Sequence, residues 1–227
     1  MKLAVSQVVP SYLARYNLYG TLIHKQGLLM SGTLIIVSGL SGAGKTTIVE
    51  KCIAQSGVGV RVITCTTRRA RGTEVDGKDY RFLSPEDYES KLAAKEFAEH
   101  ASVYGNRYGT LSADIRAARE NSPLAFLITD VQGADVIGRT YPEARSIFIS
   151  IPHNEFAQRL TKRGESPEEV ERRLGEVEAE LLKARSFDVV MENKLEQLET
   201  SIRYFLSCVN RWRAIDELAD EYLVTAN

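Results

Sequence analysis

The sequence predicts an α/β fold: a parallel sheet flanked by helices, with a phosphate-binding loop (P-loop) at one edge. Three observations predict it. Gly39-Leu40-Ser41-Gly42-Ala43-Gly44-Lys45-Thr46-Thr47 fits G-x-x-x-x-G-K-[ST], and it stands between an apolar run and a helix-like pattern. Apolar runs recur at 33–38, 60–65, 124–129, 145–151 and 187–191, with amphipathic stretches between most of them. A chain of 227 residues with 44% apolar content can bury the core of one such domain and carry inserted subdomains.

Residues 1–29 contain Pro10, Gly20 and scattered tyrosines without periodicity. They read as a surface extension or as the product of a misassigned start upstream of Met30. Leu34-Ile35-Ile36-Val37 is the first core strand, and Ile48, Val49, Cys52 and Ile53 mark the helix after the glycine-rich loop. The glycines let successive backbone N–H groups turn inward around phosphate oxygens, and the helix N-terminus adds partial positive charge. Lys45 can reach the terminal phosphates, and the Thr46 hydroxyl can ligate Mg²⁺.

The second strand, 60–65, is followed by an interval, 66–110, that breaks the strand–helix rhythm. Within it Val75-Asp76-Gly77-Lys78 reads as a hairpin turn. Ser84-Pro85 opens a helix as N-cap and first residue, and Gly105-Asn106 marks a second turn. The interval is therefore expected to be a small β-rich insertion. Ser166-Pro167-Glu168-Glu169 caps a long helix reaching about Arg185, preceded by the basic elbow Arg159–Gly164. Leu195, Leu198, Ile202, Phe205, Val209 and Trp212 alternate spacings of three and four in a final amphipathic helix running towards residue 223. Such a stripe suits packing on the domain's own core or a dimer seam.

A net charge of -1 gives no sign of a nucleic-acid or membrane partner, and no apolar run reaches membrane-spanning length. Cys52, Cys65 and Cys208 form no C-x-x-C pair, and His24, His100 and His153 lack metal-ligand spacing. Inert thiols in a reducing, cytoplasmic setting are expected.

Thr64-Cys65-Thr66-Thr67-Arg68-Arg69-Ala70-Arg71-Gly72-Thr73-Glu74 begins at the end of the second strand, at the edge where the phosphate loop lies. A guanidinium there can grip a phosphate through two parallel hydrogen bonds. Further along stand Gly77-Lys78-Asp79-Tyr80, Glu96-Phe97-Ala98-Glu99, Gly105-Asn106-Arg107-Tyr108-Gly109-Thr110, Asp130-Val131-Gln132-Gly133, and an arginine-rich stretch from Arg159 to Arg173. In this order, over roughly residues 33–207, the chain resembles the guanylate kinases, which move a phosphoryl group from ATP to GMP.

The resemblance implies residue roles. Residues 39–47 would bind ATP, and Lys45, Arg68, Arg159, Arg163 and Arg173 would neutralise charge on the moving phosphoryl group. Arg68, Arg71, Tyr80 and Tyr108 would hold the GMP phosphate. Glu99 would accept from the guanine N1 and N2 protons, Thr64 would donate to O6, and Thr110 would contact the base. Thr46 and Asp130 would serve Mg²⁺, partly through water. It further implies a core of 33–65, 111–152 and 176–227, a GMP-binding insertion at 66–110, and a helical lid at 153–175, within a domain spanning 30–227. GMP and ATP would be the partners of a cytoplasmic monomer or homodimer.

Two features depart from the family pattern. Ile128 stands where the family usually places the first carboxylate of D-x-D, and the stretch Glu169–Arg173 is one residue shorter than usual. Two other readings compete with an ATP:GMP phosphotransferase. A peptide-binding module of the same fold conflicts with the intact Lys45 and Thr46. A kinase of phosphorylated sugars would have no use for Glu99, Thr64 and Tyr80.

Overall fold

The computed structural model describes residues 32–103, 105–162, 164, 166–194 and 196–225; beyond residue 216 only the backbone is described. The extension at 1–29 and Arg163 lie outside the described residues.

Five strands form the parallel sheet: β1 (Thr33–Gly39), β2 (Val60–Arg61), β7 (Leu124–Ile128), β8 (Arg145–Ser150) and β9 (Val189–Glu192). Their order is β2-β7-β1-β8-β9, with Thr33 opposite Leu124 and Ile35 opposite Arg145. The central strand β1 is apolar on both faces, as a strand covered on both sides must be. Ile35 and Val37 join one cluster with Phe126, Phe148 and the helix α1 (Lys45–Ser56). Leu34 and Ile36 join the opposite cluster with Ala125, Leu127 and residues of α3 (Ser112–Asn121) and α4 (Val131–Thr140). This alternation is the period-two geometry of a strand.

The expected strand at 60–65 is divided. Val60–Arg61 pairs with β7, and Val62 N still donates to Phe126 O at 2.8 Å. The chain then leaves the parallel sheet, and β3 (Cys65–Thr66) joins a second one. That sheet has the order β4-β3-β6-β5, completed by β4 (Arg81–Phe82), β5 (Phe97–Val103) and β6 (Asn106–Leu111). β5 and β6 form the antiparallel hairpin expected around Gly105. The other expected hairpin, at 75–78, is corrected: β3 and β4 run parallel. A parallel pair cannot be joined by a tight turn. The segment between these strands is therefore a crossover loop, and it carries the arginines. Ser84 caps α2 (Pro85–Ala93) as expected, its hydroxyl accepting from Asp87 N.

The region expected as a lid is two helices, α5 (His153–Lys162) and α6 (Pro167–Ala184). Ser166 accepts from Glu169 N at 3.3 Å to start α6. Phe156, Leu160 and Val170 are buried in the same cluster as β1, so both helices lie against the core. The last helix, α7 (Leu198–Thr225), resolves the two readings of its stripe: Ile202, Phe205, Val209 and Trp212 are buried in the chain's own core. Among the described residues no helix is long and apolar enough to cross a membrane.

Candidate active site

The C-terminal ends of β1, β7, β8 and β9 lie side by side, which is where an open α/β sheet presents ligand-binding loops. Residues following these ends build the first cluster. Gly44 has φ of 79°, and a Cβ there would come within 2.9 Å of Asn193 Nδ2. Only a glycine fits both that backbone and that neighbour. Asn193, just beyond β9, is buried and donates to Ala43 O at 2.8 Å, so it clamps the phosphate loop. Lys45 Nζ donates to Gly39 O at 2.8 Å and Leu40 O at 3.0 Å, folded over the loop. Thr46 and Thr47 are exposed on the first turn of α1.

Two of the expected lid arginines converge on this loop. Arg173 donates to Ser41 Oγ and pairs with Glu169 at 3.2 Å. Arg159 pairs with Glu155 at 2.6 Å and donates to Asn193 O at 2.5 Å. Its Cβ lies 3.7 Å from where a Gly42 side chain would begin. The 169–173 stretch thus delivers a guanidinium to the loop.

The second cluster lies between the insertion and α4. Glu99 is 6% exposed, and Thr110, fully buried, donates to its Oε1 at 2.5 Å. Burial pushes the Glu99 carboxyl above its ordinary range; the Thr110 bond opposes this, and the Asp130 charge adds to it. A Cβ on Gly133 would meet Thr129 Oγ1 at 2.2 Å and Glu99 Oε2 at 2.9 Å. The missing side chain therefore lets Glu99 approach the start of α4. Asp130 is the N-cap of that helix, accepting from Gly133 N at 2.7 Å. Ile128, at the end of β7, is half-buried and packs against the apolar cluster of β1.

The third cluster grips from the crossover loop. Arg68 forms a two-pronged pair with Glu74, both contacts at 2.9 Å. Its guanidinium carbon lies 5.4 Å from the centre of the Tyr80 ring and 5.8 Å from that of Phe82. Tyr80 meets Tyr108 edge-on at 6.3 Å. Burial raises the Tyr80 hydroxyl above its ordinary pKa, so it stays a donor. Arg71 is exposed, and its backbone N–H donates to Glu74 at 2.7 Å. Thr64 is half-buried between β2 and β3, and its carbonyl accepts from Arg81 N at 2.8 Å.

Asp130 links the clusters. Its charge is felt by Glu99 on one side and by Glu180 of α6 on the other. Burial raises Glu180, while Lys45 and Arg173 oppose that rise and Glu176 and Asp130 add to it. Glu99 meets the start of α4 at Gly133, and Thr129 N, just before that helix, donates to Val37 O at 3.2 Å on the strand that leads into the phosphate loop.

Glu74, Gly133, Asn193 and Glu180 were not among the site residues expected from sequence. Glu180 had a signal, since it lies seven residues after Arg173 on one helix face. Asn193 also had one, following a strand end at the ligand edge. Among the described residues no group of three or more His, Cys, Asp or Glu could hold a metal by itself. The oxygens of Thr46 and Asp130 are hard donors of the kind Mg²⁺ accepts, and Mg²⁺ is ordinarily completed by phosphates and water. Cys52 and Cys65 are buried thiols pushed up to about 11 and about 12 by burial, unsuited to nucleophilic work.

A family model described as guanylate kinase matches residues 31–209. The guanylate kinase of Thiobacillus denitrificans is 42% identical over 165 residues, covering 71% of this chain and 78% of that protein. That of Neisseria meningitidis serogroup A is 37% identical over 195 residues, covering 83% of this chain and 95% of its own. The crystal structure of guanylate kinase from Anaplasma phagocytophilum superposes with a TM-score of 0.64 at 25% identity, covering 81% of this chain and 87% of that one.

Proposed function

The chain belongs to the guanylate kinase family, and from that premise we propose that it transfers the terminal phosphoryl group of ATP to GMP, giving ADP and GDP. The single observation that carries this reading is that two unlike clusters stand at the ends of neighbouring strands, β1 and β7. A buried carboxylate with its hydroxyl partner, Glu99 and Thr110, approaches Gly133 at the start of α4, while the adjacent strand β1 leads into the loop of Lys45, on which Arg173 sits through Ser41.

Guanine offers N1–H and N2–H₂ on one edge, and ionised Glu99 accepts from both. Adenine has no N1 proton there and would leave Glu99 buried and unpaired, so the discrimination reaches roughly 10⁴-fold in favourable sites of this kind. Thr64 supplies a donor to O6 in this reading. Arg68, Arg71, Tyr80 and Tyr108 hold the GMP phosphate, with Arg68 braced against the Tyr80 ring.

At the other pocket, the backbone N–H groups of residues 39–47 wrap the ATP phosphates. Lys45 exchanges its carbonyl contacts for phosphate oxygens. Arg173 sits on Ser41 of the same loop and Arg159 beside Gly42, so α5 and α6 bring positive charge to the transferring group as they pack down. Phosphoryl transfer demands little covalent chemistry of the protein; positioning and charge neutralisation dominate. Thr46 and, through water, Asp130 would hold Mg²⁺, which when bound neutralises charge on the ATP phosphates. The packed helices exclude water, which would otherwise accept the phosphoryl group.

Free thiols and pools of both substrates suit a cytoplasmic setting. A coupled assay with ATP and Mg²⁺ against GMP, AMP, UMP and ribose phosphates tests the proposal. Turnover confined to GMP is the expected result; faster turnover of another acceptor would overturn it.

A further inference from the structure

The crossover loop between β3 and β4 presents an oddity for a site that binds a dianionic phosphate: a carboxylate stands inside it. Glu74 takes both terminal nitrogens of Arg68, each at 2.9 Å, and also the backbone N–H of Arg71 at 2.7 Å. Its own N–H returns to Arg71 O at 2.9 Å, closing a compact turn. Arg68 Nη1 is further tied to the Arg69 carbonyl at 2.6 Å, and its side chain is only 10% exposed. A negative group this close to the phosphate pocket opposes GMP by charge alone. Meanwhile residues 69–73 are exposed and, among the described residues, lie outside every strand and helix. An exposed loop left to itself spends conformational entropy each time two arginines are brought to one ligand.

We propose that Glu74 is the positioning residue of the phosphate grip: a single carboxylate that sets the side chain of Arg68 and the backbone of Arg71 before GMP arrives. The two-pronged pair fixes the plane of the Arg68 guanidinium against the Tyr80 and Phe82 rings. The edge of Arg68 facing Glu74 is spent on that pair. The phosphate is then met by its remaining N–H groups together with Arg71 and the tyrosine hydroxyls. Glu74 does not touch GMP; it lowers the ordering cost of the groups that do.

This rests on the guanylate kinase reading above. The test compares wild type with Glu74→Gln by titration calorimetry with GMP and with guanosine, which lacks the phosphate, and by steady-state kinetics. Glutamine keeps the shape but cannot accept both forks as an anion. A charge-assisted hydrogen-bond pair of this kind predicts about a tenfold or greater loss of GMP affinity. Guanosine affinity and the KM for ATP should stay at wild-type values, with the KM for GMP rising more than kcat falls. Unchanged or tighter GMP binding would overturn the proposal, since Glu74 would then be a bystander or a competitor of the phosphate. Equal losses for GMP and guanosine would overturn it too, because the residue would be acting on the whole pocket. Wild-type protein that binds neither ligand would instead overturn the guanylate kinase reading, and the proposal with it.

Discussion

The phosphate loop stands on β1, where Leu34, Ile35 and Val37 are entirely buried, and is clamped from β9 by Asn193. The base-reading pair stands on a smaller sheet, two of whose strands, β3 and β4, have two residues each. In the loop beside that sheet, Arg68 of the phosphate grip is held by Glu74 and aromatic rings instead of by a core. In the first region the framework is apolar and the chemistry sits on top of it. In the second the polar groups that read GMP are also the groups that hold the insertion together. Substitutions should therefore separate activity from stability at the loop and couple the two at the insertion.

The largest expected effect is at the loop. Lys45→Ala removes a charge needed as the phosphoryl group moves, which should lower kcat about 10³-fold. The Tm should stay near the wild-type value, since the hydrogen bonds of Lys45 to Gly39 O and Leu40 O at 2.8 and 3.0 Å lie within its own loop, above an apolar framework that the substitution leaves intact. A large fall in Tm would break the contrast between the regions.

Glu99→Gln should lower kcat/KM for GMP about 100-fold, as a charged acceptor is lost, and should narrow the preference over AMP. Its effect on stability has the opposite sign. Burial raises the folded-state pKa of Glu99, so the folded protein holds this proton more tightly than the unfolded chain. Stability from this group is present at acidic pH and is lost as pH rises through the raised value. Glutamine, which never ionises, should raise the Tm at neutral pH, and the gap should close as pH falls. A Tm below wild type at neutral pH would show that the charge is compensated.

Gly133→Ala must push against Thr129 Oγ1 and Glu99 Oε2, at 2.2 and 2.9 Å from the new carbon. Overpacking of this kind costs about 1–3 kcal/mol. Because Glu99 is one of the atoms displaced, the KM for GMP should rise about tenfold while the KM for ATP holds. Equal changes in both would mean that α4 shifts as a whole.

The smallest effect is at Ile128. Aspartate there would place a carboxylate at the end of β7 and should lower the KM for GMP a few-fold. It also removes an apolar side chain from the β1 cluster, so stability should drop by roughly the 1–3 kcal/mol of a poorly paired polar group, read as a lower Tm. No gain in GMP binding would mean that the pocket is complete without it.

The sheet and the phosphate loop were legible because local rules govern them. Apolar runs of strand length, caps at Ser84 and Ser166, and the glycine–lysine spacing are all read within a few residues. The 60–65 run misled because its pattern continues while its partners change, from β7 to β6 and β4; no periodicity encodes such a change. The Asp76-Gly77 turn is real, with Gly77 N donating to Tyr80 O at 2.8 Å, but turn chemistry does not say whether the flanking strands run antiparallel. Arg68, Tyr80 and Tyr108 do assemble; Glu74 stood in the same motif, three residues after Arg71, but its spacing did not say that its side chain would brace Arg68. Gly133 likewise stood in the Asp130–Gly133 motif, but its role is defined by the two side chains that crowd its missing one.

The contact between Asn193 and Ala43 spans 150 residues of chain. During synthesis the loop emerges early and its clamp emerges late. A chain that stops short of β9 owns every residue of the motif but lacks the hydrogen bond that ties it down, and is expected to bind ATP more weakly than the full chain, which calorimetry on the two would check.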